Sequence, residues 1–138
     1  MPDTPDELDL TRTRKYLVRA LRLRCPQCGD GQMFQGWFRQ LPRCAACRLG
    51  FDRNESDFFI GAYIVNLIVA ELIVVGGLVI GMYTTWPDVP WNSMKWTLLP
   101  LAVLGPLITV PFSKSIWLAI DLIYRPATGE DFSEPGVQ

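Results

Sequence analysis

"RCPQCGDGQMFQGWFRQLPRCAACRLGF" occupies residues 24–51, and after six further residues comes "FFIGAYIVNLIVAELIVVGGLVIGMY", residues 58–83. The first stretch holds two C-x-x-C pairs, Cys25/Cys28 and Cys44/Cys47, separated by a 15-residue spacer. The second holds one charged residue, Glu71, in 26 positions, whereas residues 1–57 hold eighteen. The chain is therefore divided along its length into a polar, cysteine-bearing part and an apolar part.

As a helix, 26 residues extend roughly 39 Å, enough to cross a hydrocarbon layer of about 30 Å with some tilt. A crossing is expected over 58–83. A second apolar stretch, "WTLLPLAVLGPLITVPF", runs from Trp96 to Phe112 with prolines at 100, 106 and 111, and apolar residues resume after Lys114 as "IWLAIDLIY". Membrane helices tolerate proline where neighbours satisfy the freed carbonyls. The pattern predicts a kinked second span over 96–124 whose end is amphipathic, bending into the interface near Pro111 or running on to Tyr124. The loop 84–95 between the spans carries Trp86 and Trp91, and Trp96 opens the second span, all at expected interface positions.

Ten of the thirteen Lys/Arg residues precede the first apolar stretch. By the positive-inside rule this places the N-terminal region in the cytoplasm, with both termini inside. That compartment is reducing, so the four cysteines favour a metal over disulfides. Two C-x-x-C knuckles each present two thiolates to one tetrahedral ion, and the spacer has the length to return the chain. In "CPQCG", Pro26 and Gly29 suit a tight turn, since glycine takes positive φ freely. The second knuckle, "CAACR", has Arg48 where glycine would be easiest. Arg24, Arg43 and Arg48 are placed to offset the charge of four thiolates around Zn²⁺. Redox dithiols are the competing reading of the same cysteines.

The chain has no histidine, which removes the commonest general base and the usual nucleophile triads. Catalytic zinc sites keep an open position and recruit His or carboxylate ligands, whereas four cysteines fill all four places. No enzymatic centre is expected. The net charge of −1 supplies no basic field for nucleic acid.

The expected organisation is a disordered acidic tail (1–10), a basic amphipathic helix (11–24), a zinc-ribbon-like head (25–57), a first span (58–83), an extracytoplasmic loop (84–95), a second span (96–124) and a cytoplasmic tail (125–138). The fold class is a small membrane protein with a four-cysteine, zinc-ribbon-like cytoplasmic head followed by an α-helical transmembrane hairpin. Arg14, Lys15, Arg19 and Arg22 are candidates for contact with anionic lipid at the membrane surface. Met33, Phe34, Trp37, Phe38, Leu41 and Phe51 either cover the metal site or dock on bilayer or partner, and spacing does not separate the two.

At 100° per residue, Ala62, Asn66, Ala70, Gly77 and Gly81 share one face of the first span, and Ala102, Gly105, Thr109 and Ser113 share one of the second. Small residues let backbones approach, so the stripes are expected to face each other. Glu71 points away from that face near mid-span, where an ionisable group is costly. It is expected either to be protonated and hydrogen-bonded internally, or to meet a second copy or a membrane-protein partner. Lys114 is expected near Asn66, towards the cytoplasmic side.

Three features together carry a family resemblance: the C-P-x-C-G-x-G-x-(M/L)-F pattern at Cys25 to Phe34, the pair Cys44/Cys47 followed by Leu49, Phe51 and Glu55, and Gly61-Ala62-Tyr63 at the membrane entrance. Over about residues 22–125 the chain resembles the bacterial membrane proteins catalogued as domain of unknown function nine hundred eighty-three. The resemblance implies an inner-membrane protein with a cytoplasmic zinc-ribbon-like head, and a link of some members with respiratory oxidase biogenesis. An adaptor or assembly factor and a thiol-redox or metal-handling protein are the two functional classes it leaves open.

Overall fold

A computed structural model describes residues 5–53, 55 and 58–133. The element order is α1 (Pro5–Leu21), β1 (Phe34–Gln35), β2 (Arg39–Gln40), α2 (Phe59–Thr85) and α3 (Trp91–Tyr124), closed by a 3-10 turn at Gly129–Phe132. Strands β1 and β2 form an antiparallel hairpin, Phe34 opposite Gln40 and Gln35 opposite Arg39.

Helices α2 and α3 are each long and apolar enough to cross a membrane. They pack as an antiparallel pair along the two small-residue stripes. A Cβ at Gly77 would lie 2.8 Å from Leu98, and one at Gly81 would lie 2.8 Å from Met94. Gly105 faces Ile73, and Ala62 is buried. Asn66 Oδ1 accepts hydrogen bonds from Thr109 Oγ1 (2.7 Å) and Ser113 Oγ (3.1 Å). Polar groups shielded from water must find such partners, and small side chains allow the backbones close enough to supply them.

Helix α3 runs unbroken through Pro100, Pro106 and Pro111 for 34 residues, roughly 51 Å at 1.5 Å per residue. That is more than a crossing of about 30 Å would need, and the last turns of α3 are part of the head. Leu118, Ala119 and Leu122 are fully buried in one core with Tyr16 and Ala20 of α1 and with Met33, Phe34, Leu49 and Phe51. Ser115 Oγ donates to Ala20 O at 2.9 Å. At the junction Trp117 lies over Gly61, where a Cβ would come within 2.2 Å of the indole. A cysteine module of this size has little apolar volume of its own, and α3 supplies the missing core.

Several boundaries differ from expectation. Residues 5–10, expected in the acidic tail, are the first turns of α1; residues 1–4 lie outside the described set. The helix ends at Leu21 because Leu23 takes φ +56°. The loop between the long helices shortens, since α3 already starts at Trp91. Of the two courses left open for the end of α3, the helix takes the one that runs on to Tyr124, and its apolar face there turns to the head. In the tail, Asp131 is buried against the head, while 134–138 lie outside the described set, as do 54, 56 and 57 of the head.

Candidate metal centre

The two knuckles have matching geometry. Gly29 N–H donates to Cys25 O at 2.8 Å, and Arg48 N–H donates to Cys44 O at 3.0 Å, closing equivalent turns. Gly29 has φ +85° and Arg48 φ +64°, so the arginine occupies the left-handed position that glycine holds in the first knuckle. The β1–β2 hairpin lies in the spacer between the knuckles and returns the chain, with Leu41 N–H bonded to Met33 O at 2.8 Å.

This brings the four sulfurs within 4.8 Å of one another. Cys25 Sγ lies 3.8 Å from Cys47 Sγ, and Cys28 Sγ lies 3.6 Å from Cys44 Sγ. A tetrahedron with metal–sulfur bonds of about 2.3 Å has edges of about 3.8 Å, whereas a disulfide needs about 2.05 Å. All four cysteines are free thiols. Gly31 sits against the cluster so closely that a Cβ there would be 2.1 Å from Cys44 Sγ. The donor set and its spacing therefore fit one tetrahedral ion with no open position.

The electrostatics make the same demand. Burial pushes the Cys25 thiol far up, reinforced by the neighbouring Cys47 and Cys44. Burial also raises Cys47, to about 11, against the N–H of Leu49. Burial acts upward on Cys28 as well, but the N–H groups of Gly31 and Asp30 and the adjacent Cys44 and Cys47 hold it at about 7. Four crowded thiols cannot all ionise unaided, and a divalent cation removes the obstacle.

The four expected surface cations divide. Arg14, Lys15 and Arg22 are exposed. Arg19 instead turns inward, donating from Nη1 to Pro26 O (2.9 Å) and Gln27 O (2.8 Å), with its guanidinium against Gly29. It braces the first knuckle by satisfying carbonyls that the tight turn leaves open, so its side chain is committed to the head. Of the arginines expected to offset thiolate charge, Arg24 borders the cleft beside Cys28, while Arg43 reaches the C-terminal segment at Phe132 O and Ser133 O.

The polar residues of the helical pair do not converge on one site. Asn66 is used between the helices. Lys114 Nζ lies 5.0 Å above the Phe59 ring and lines the same crevice as Asn66. Glu71 is exposed on the outward face of α2, and among the described residues it makes no hydrogen bond or ion pair, so an internal partner for it is not found there.

One buried ionic cluster has no simple sequence signature. Arg53, whose side chain is 6% exposed, makes a bidentate bond to Asp131 (3.1 and 3.0 Å), pairs with Asp121 at 3.1 Å and donates to Arg125 O at 2.7 Å. Arg125 adds bonds to Asp121 and Glu55. The only local trace is the i,i+4 spacing of Asp121 and Arg125 on α3; Arg53 is nearly seventy residues away.

The structure thus defines a small helical-hairpin protein with a four-cysteine centre built onto one end of its second long helix. The family described as Protein of unknown function (DUF983) matches residues 34–122, and the chain belongs to it. The match takes in the second knuckle, Arg53, all of α2, and α3 as far as Leu122, Asp121 included. Neither a curated protein nor a solved structure matches the chain.

Proposed function

We propose that this chain is a non-enzymatic adaptor or assembly factor of the bacterial inner membrane, with both termini cytoplasmic and a structural Zn²⁺ held by Cys25, Cys28, Cys44 and Cys47. The observation that carries the reading is the closed sulfur tetrahedron anchored on the same helix that forms half of the hairpin. Such a centre has no place for substrate, but it fixes a head rigidly to a membrane helix. Glu71, outward and without a partner among the described residues, supports the other half of the reading. At mid-span an ionisable group facing lipid is costly, and a second membrane helix, from another protein or from a second copy, removes that cost. Nucleic acid is not among the expected partners.

Affinity purification in gentle detergent, with mass spectrometry and elemental analysis of one sample, tests both halves. About one zinc per chain and a co-purifying membrane protein, or a defined oligomer, are expected. Glu71→Leu should lose that partner while keeping the zinc. A metal-free chain with the same partner profile for Glu71→Leu would refute the adaptor.

The second reading, thiol or metal exchange at the membrane face, is favoured by one observation: Cys28 is partly exposed and its thiol is held at about 7, in the range of reactive cysteines. It predicts labile metal and reversible oxidation near the cytosolic glutathione potential.

A further inference from the structure

Within the cysteine-bearing segment, among the described residues, the β1–β2 turn presents large aromatic rings outward. Trp37 is 44% exposed and Phe38 is 62% exposed, although both flank a hairpin whose inward residue, Phe34, is buried. The turn is also not free to point anywhere. Trp37 packs edge-on against Phe112 of α3, with ring centroids 6.0 Å apart.

The position of Phe112 along α3 fixes the height of the turn. Its neighbours Thr109 and Ser113 both bond to Asn66 of α2. Helix α2, of 27 residues, is roughly 40 Å long, so about 5 Å at each end projects beyond a 30 Å hydrocarbon layer. The layer then begins near Ala62 on the head side, and Phe112, level with Asn66, lies roughly 5 Å inside that boundary, within reach of the interface. Trp37 is therefore supplied by the head at the depth where tryptophan is enriched in membrane proteins, opposite Trp86 and Trp91 at the other end.

The charge around the turn complements that position. Ser115, one turn beyond Phe112, bonds to Ala20 O, which sets the segment after α1 at the same boundary. Arg22 and Arg24 are both on the surface there, and they border a cleft of about 300 Å³ that reaches Gly36 beside Trp37. Arg39 is exposed on the other strand of the hairpin. Arginines behind a wedge of aromatic rings match an anionic phospholipid: acyl chains below, phosphate above.

We propose that the β1–β2 turn is a lipid-inserted finger, with Trp37 and Phe38 in the bilayer interface and Arg22, Arg24 and Arg39 holding the phosphate of anionic phospholipid. This rests on the reading of α2 and α3 as membrane-spanning. It gives the cysteine centre a further task, because the spacer it closes is the finger itself. Head orientation is then fixed by lipid as well as by α3.

The test uses the full chain reconstituted in vesicles of phosphatidylcholine with or without phosphatidylglycerol. Single-tryptophan variants keep either Trp37 or Trp91, the others being replaced by phenylalanine. Lipids brominated near the glycerol should quench Trp37 as they quench Trp91, with aqueous iodide ineffective at both. Quenching of Trp91 but not Trp37 would overturn the finger while leaving the spans intact; quenching of neither would remove the spans on which it rests. In native mass spectrometry of the detergent-solubilised chain, phosphatidylglycerol should be retained over phosphatidylcholine. Arg22→Gln, Arg24→Gln and Arg39→Gln should each weaken that retention about five-fold, with zinc content unchanged. Equal retention of the two lipids, unaffected by the substitutions, would overturn the phosphate contacts.

Discussion

Replacing Gly31 by alanine isolates the metal centre from the rest of the fold. The added Cβ would stand 2.1 Å from Cys44 Sγ. An ordinary carbon–sulfur contact lies near 3.7 Å, so the sulfur or the Gly31 backbone must yield by more than about 1 Å, while ligand distances in a metal site tolerate about 0.2 Å. The Gly31 backbone has little freedom, because its carbonyl accepts the Cys25 N–H at 2.8 Å and thus ties it to the first knuckle, across the cluster from Cys44. Cys44 must then leave the tetrahedron. Changes to the outer shell of a metal site cost about 10–100-fold in affinity, and displacement of a ligand should cost at least the upper figure, about 3 kcal/mol. Overpacking adds about 1–3 kcal/mol to the instability of the head. Zinc affinity of the purified chain, measured by competition with a chromophoric chelator, is the assay. Gly129→Ala serves as the control, since a Cβ there meets nothing within 4 Å. Wild-type affinity and stoichiometry in Gly31→Ala would refute the tetrahedral arrangement.

The pH dependence of binding the proposed Zn²⁺ follows from the thiols. At pH 8 Cys25 and Cys47 still carry protons that the metal must displace, whereas Cys28, held at about 7, is largely ionised. Affinity should therefore rise with pH by at least about two log units per unit above pH 7, steepening by about one more below it as Cys28 also binds a proton. A slope under one log unit across pH 6–8 would contradict the burial of the cluster. Chelation should abolish protection of the head against protease while circular dichroism retains the signal of α2 and α3, because a small cysteine module depends on its metal more than the hairpin does. Arg53→Gln should destabilise the head by about 3 kcal/mol by leaving the Asp121 and Asp131 carboxylates short of a buried partner, seen as cleavage after α3 at lower protease concentration. Arg48→Gly should be neutral to stabilising, by up to about 1 kcal/mol, since it relieves a left-handed φ of +64°; thermal denaturation of the metal-loaded chain reads the difference.

The cysteine spacing, the two long apolar helices and the facing stripes of Ala62–Gly81 and Ala102–Ser113 were all legible in the sequence. Each is a local pattern: knuckle spacing sets where two thiolates point, and a period of about 3.6 residues sets which side chains share a helix face. The outward position of Glu71 belongs to the same kind of information. What an apolar or charged face meets is not written in its period. The end of α3 has an apolar face that suits lipid or protein equally, and only the tertiary structure assigns Leu118, Ala119 and Leu122 to the head. Arg19 belongs to a basic run that suits a membrane surface, yet its guanidinium closes the first knuckle because two carbonyls there lack partners. Arg53 finds Asp121 and Asp131 across 68 and 78 residues, a pairing that exists only once α3 has been carried past its packing with α2 and folded into the head. Local spacing determined the parts by itself; burial between segments distant in sequence decided how head and hairpin became one body.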